Sequence, residues 1–116
     1  MIPMETVKTA LAAFVDREIA PGLTGWDKVI VAGGLAVMIK RLPDIIKEHP
    51  MLSALGVREN EVDIDALYEA AAPYVNEKMP LRIPGIGITM KLGKQELDTL
   101  YRYLKEAQGE INRGTY

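Results

Sequence analysis

The sequence predicts a mainly α-helical protein, a compact single domain of about five helices with one short β-hairpin near residues 81–90. Three observations carry this expectation. Apolar residues recur at helical spacing in several segments, proline and glycine stand where helices begin and end, and the dipeptide Pro84-Gly85 separates two short apolar runs. At 116 residues the chain has the length of one ordinary domain. We expect 1–108 to form that domain, with the hairpin as an insertion, and 109–116 (GEINRGTY) to be a frayed tail.

Residues 4–19 place Val7, Leu11, Phe14, Val15 and Ile19 on one helical face, and Pro21-Gly22 closes the segment. Thr24 is a candidate cap for the next helix, with Asp27 three positions on, and this helix should reach about Leu42, before Pro43. Its centre, Val29 to Ile39, reads VIVAGGLAVMI and carries no charge. A bilayer span needs about 20 apolar residues, so the run is too short to cross one, and a helix apolar on all sides is expected at the buried centre of a domain. Gly33-Gly34 within it suits a close helix–helix crossing better than a hinge, because its neighbours are all apolar and must pack on something.

Pro43, Pro50 and Gly56 punctuate the next stretch into short helical turns, with PMLSAL starting on a first-turn proline and ending at a glycine suited to the left-handed position after a helix. The segment RENEVDID (58–65) places acids at 59, 61, 63 and 65. A calcium-binding EF-hand loop counted from Glu59 or Glu61 lacks both its glycine and its closing glutamate, so an acidic turn leading into a helix is the better reading. That helix should run to about Tyr74. Residues 80–93 (PLRIPGIGITMKLG) read as Leu81–Ile83 paired with Ile86–Met90 around a type II turn. Gly93-Lys94 is followed by Gln95 and preceded five positions back by Ile88, which fails the nucleotide P-loop pattern; Met90 stands where a dinucleotide fingerprint needs its third glycine. The last helix should occupy about 94–108.

Two five-residue stretches nearly repeat: IDALY at 64–68 and LDTLY at 97–101. Upstream, Asn60 aligns with Gly93 and Asp63 with Glu96, so each copy looks like a helix start with a cap residue and an acid three positions on. Two copies are too few for a repeat array. Core packing with the tyrosine hydroxyls at the core's edge is the favoured reading, and a tyrosine-bearing interface the other. On the second reading the candidate contact residues are Tyr68, Tyr101, Tyr103, Ile86 and Ile88, with Tyr103 off the shared face and expected to be exposed.

The absence of cysteine excludes disulfides, thiolate catalysis and cysteine-held metal centres, and fits a reducing cytoplasm. With 14 basic and 16 acidic residues, and no basic run longer than Lys40-Arg41, strong nonspecific nucleic-acid binding is not expected. The N-terminal stretch lacks the basic region of a secretory signal, so the expected location is cytoplasmic. His49 stands alone without a visible orienting group. We assign no catalytic, cofactor or metal residue.

The order HPMLSALGV, NEVDIDALYEAAAPYV, IPGIGITMKLGKQELDTLYRYLKEA resembles small uncharacterised proteins encoded in phages and prophages of Firmicutes, over about residues 43–107. That resemblance implies a phage context and transfers no site. Three functions compete on these observations. The first is a non-enzymatic assembly or interaction module, self-associating or bound to another protein. The second is a ligand binder or enzyme using Glu59, Asp63 and Asp65 with Tyr68 or His49, which would need those groups to converge on a pocket. The third is a small protein attached to a membrane through residues 24–42.

Overall fold

The computed structural model describes residues 1–75, 79–82 and 89–114. The chain is mainly helical with a short antiparallel hairpin, as the sequence predicts. It opens with a two-residue strand β1 (Ile2–Pro3), then α1 (Met4–Phe14), which loosens into one π-helical turn over Val15–Ile19. Helix α2 spans Gly25–Lys40 and α3 Leu42–Glu48, followed by a 3-10 segment at Pro50–Leu55. Strand β2 (Glu61–Val62) leads into α4 (Ile64–Ala71) and a 3-10 turn at Ala72–Val75. Strands β3 (Met79–Arg82) and β4 (Thr89–Leu92) precede α5 (Lys94–Gly114).

Local signals set most of these boundaries. Gly56 follows the Pro50–Leu55 turn at φ 81°, the left-handed conformation anticipated for it. Gly93 opens α5, and the Glu96 carboxylate reaches back to accept its N–H at 3.0 Å, which is the expected cap-and-acid arrangement. In α4 the register differs by three: Asp63, not Asn60, is the cap residue, and its carboxylate accepts the Ala66 N–H at 3.2 Å. Asn60 is taken by another task, since its carbonyl accepts the Met4 N–H at 2.8 Å. Thr24 occupies the cap position of α2 without a side-chain bond to its first turn.

The core lies between the N-terminal segment, α1, α4 and α5. Ile2, Met4, Val7, Ala10, Val62, Ile64 and Leu104 form one cluster, joined by Ile46 of α3. Strand β1 pairs antiparallel with β2, Ile2 opposite Val62 and Pro3 opposite Glu61. This second two-stranded sheet is not apparent in the sequence: two residues are too few to show an alternation. It anchors the N-terminus and leaves Ile2 1% exposed.

Three expectations are corrected. The hairpin pairs Met79–Arg82 with Thr89–Leu92, Leu81 opposite Met90, so its pairing reaches Met79 and Leu92, beyond the expected outer ends. Pro84-Gly85, Ile86 and Ile88 lie outside the described residues. The last helix continues to Gly114 rather than stopping near 108. The largest correction concerns α2. It is not a buried central helix: Val31 alone of its sixteen residues is fully enclosed, and none of its residues belongs to the core cluster. Its apolar circumference exceeds what α1 and the neighbouring turns can cover. Of the pair Gly33-Gly34 expected at a close crossing, Gly33 meets no neighbouring element among the described residues, for a methyl group built there would have nothing within 4 Å. No helix among the described residues is long and apolar enough to cross a membrane.

Candidate functional site

The two repeated pentapeptides meet. In α4, Asp65 and Tyr68 stand one turn apart; in α5, Asp98 and Tyr101 do the same. The Tyr68 hydroxyl donates to Asp98 Oδ1 and the Tyr101 hydroxyl to Asp65 Oδ1, both at 2.5 Å, so each copy's tyrosine serves the other copy's aspartate. Following α4 from 65 to 68 means following α5 from 101 back to 98, so the helices run antiparallel and the arrangement has a local two-fold character. The rings of Tyr68 and Tyr101 touch between them, centroids 4.5 Å apart and tilted by 46°.

A lysine completes each end. Lys94 Nζ lies 5.8 Å from the Tyr68 ring centroid, and Lys105 Nζ lies 5.6 Å from that of Tyr101 while bonding Asp65 Oδ2 at 3.1 Å. Electrostatics follow the geometry. Donation from Tyr101, then from Lys105, holds the Asp65 carboxyl below its ordinary value; the same carboxylate raises the pKa of Tyr101 and of Lys105. These shifts stabilise the resting proton positions, carboxylate with phenol and ammonium. The cluster is a clasp between helices.

Tyr103 is not the free aromatic that its off-face position suggests. Its ring packs edge-on to Phe14 at 5.8 Å and 82°, and its hydroxyl donates to Glu18 Oε1 at 2.9 Å, tying α5 to α1 and the π turn. Partial burial, then that donation, raises its pKa. The acidic group proposed for a ligand or enzyme site is dispersed: Asp63 caps α4 and Asp65 joins the clasp. Glu59 and His49 share only a shallow depression of about 300 Å³ with Lys47 and Arg58. No group of three metal-ligating side chains occurs among the described residues.

Two larger grooves flank α1. One, about 550 Å³, separates α1 from α5 beside Tyr103 and Arg17. The other, about 620 Å³, runs between α1 and α2 over Ala12, Val15, Ala32, Ala36 and Ile39, with Lys40 at its rim. Beside this second groove lies the outward face of α2. Trp26 is 79% exposed, Val29 64%, Val37 58% and Ile30 41%. With Gly33 these residues fall at intervals of three and four, which makes one continuous helical stripe. The sequence holds the signal for this surface in the charge-free run, but periodicity cannot say whether the chain itself would cover it. The chain matches no family model, no curated protein and no solved structure.

Proposed function

We propose that this protein is a non-enzymatic interaction module, of the assembly type expected from its sequence, whose contact surface is the outward face of α2. One observation carries the reading: a sixteen-residue helix, charge-free from Val29 to Ile39, presents Trp26, Val29, Ile30 and Val37 to solvent. Scattered exposed apolar residues are ordinary, but a contiguous patch headed by a tryptophan is the composition of a binding hot spot. The repeated acids and tyrosines support the same reading, because Asp65, Tyr68, Asp98 and Tyr101 are engaged in holding α4 to α5. The phage or prophage context belongs to this proposal and rests on the sequence resemblance alone.

The test is native mass spectrometry with light scattering from low micromolar concentration upwards, on the natural chain and on Trp26→Glu. The natural chain should associate and the variant should remain monomeric with its helical circular dichroism unchanged. Association that survives in Trp26→Glu would remove α2 as the contact surface.

A further inference from the structure

Deepening that reading, we infer that the occupant of the α2 face is a second copy of the same face, crossing antiparallel on a two-fold axis at Gly33. The stripe is close to a palindrome about that glycine. Counting outward, Val29 falls opposite Val37, Ile30 opposite Ala36 and Trp26 opposite Lys40. A two-fold contact pairs each residue with the one at the mirrored position, so a self-recognising surface must be complementary under that exchange. This one is. Val29 and Val37 are equal in size, Ile30 meets the smaller Ala36 as knob to hole, and Trp26 meets a cation able to lie over its indole.

Gly33 explains why the crossing belongs there. Helix axes approach more closely when the residues at the contact are small, and a bare backbone at the crossing lets the larger residues on either side interdigitate. Among the described residues no neighbour needs that bareness, since a methyl group at Gly33 would meet nothing within 4 Å. The α1–α2 groove supplies the receptacle. Its lining includes Ala32, Ala36 and Lys40, the side of α2 that the second copy's Ile30 and Trp26 would reach. A bilayer is the less fitting occupant: a glycine at the centre of an inserted face gives up apolar contact. The exposed stripe offers on the order of 400 Å² per copy, about half of what a standard interface buries per partner, which makes the dimer a weak one.

The chain contains no cysteine, so introduced thiols report without background. Val29→Cys and Val37→Cys are purified separately, mixed and oxidised, and each is also oxidised alone. The antiparallel dimer yields the mixed 29–37 link in preference to 29–29 or 37–37. Gly33→Leu, which the open space accommodates, should raise the dissociation constant at least tenfold without lowering the melting temperature measured under monomeric conditions. Association that depends on Trp26 but links 29 to 29, or that tolerates Gly33→Leu, overturns this geometry and leaves the contact surface standing. A chain that stays monomeric through the high micromolar range overturns the second copy as partner; flotation with anionic vesicles in that case would assign the face to a bilayer.

Discussion

At the scale of single residues, Gly56 shows most directly how local geometry constrains the chain. Its φ of 81° lies where side chains are strained, and a Cβ there would stand 2.9 Å from the Cβ of Asp63 and 3.1 Å from that of Ala66. The glycine thus serves two ends at once: it closes the Pro50–Leu55 turn and lets the chain pass beside the start of α4, where the Gly56 carbonyl accepts the Asp63 N–H at 2.8 Å. Gly56→Ala should lower stability by about 1–3 kcal/mol, the cost of a left-handed non-glycine residue with a contact to relieve. Gly22→Ala is the control, since open space surrounds Gly22 and its φ is not positive; it should be near neutral. Urea denaturation of the two variants side by side makes the comparison.

At the scale of elements, the clasp between α4 and α5 has a pH signature whose sign can be worked out. Asp65 is lowered in the folded chain from an ordinary 3.8, so its contribution is present above that value and is lost as pH falls through the lowered one. Tyr101 is raised from an ordinary 10.0, so its contribution is present below that value and is lost as pH rises through the raised one. Stability should therefore fall off below about pH 4 and again above about pH 10, with a plateau between. Asp65→Asn should flatten the acid limb of a melting temperature measured from pH 2 to 6. An acid limb unchanged in that variant would show that other carboxylates set it.

The same pair of helices shows what could be read in the sequence and what could not. The repeat IDALY and LDTLY, the cap at Gly93 with Glu96 and the left-handed Gly56 were all legible, because each depends on residues within five positions of one another. That the two pentapeptides would exchange hydrogen bonds was not, since Tyr68 and Asp98 are thirty residues apart and only the antiparallel docking of α4 on α5 brings them together. The β1–β2 pairing was hidden for the same reason: Ile2 and Val62 find each other through the fold. The placement of α2 failed differently. Apolarity indicates that a surface is better covered than bare, and it does not say by which chain.

At the scale of the whole molecule, hydrophobicity and burial part company, and the division can be tested by substitution. Leu104 is 5% exposed and Ile64 2%, both within the central cluster, so Leu104→Ala or Ile64→Ala should cost about 2–5 kcal/mol. Val37→Ala, in the most hydrophobic stretch of the chain, should change the stability of the monomer by no more than about 0.5 kcal/mol. Native-state hydrogen exchange extends the contrast to the backbone. In dilute solution, amides of α1 and the first half of α5 should exchange only on global opening, because both helices pack into the central cluster. The amides of α2, with Val31 its one enclosed side chain, should open more readily. Raising the concentration into the range where the chain associates should slow exchange in α2 selectively, since ligation of the native state protects what the ligand covers. Protection of α2 equal to that of α1 in dilute solution would mean that the helix is held by the chain itself, and its outward face would then need no partner for order.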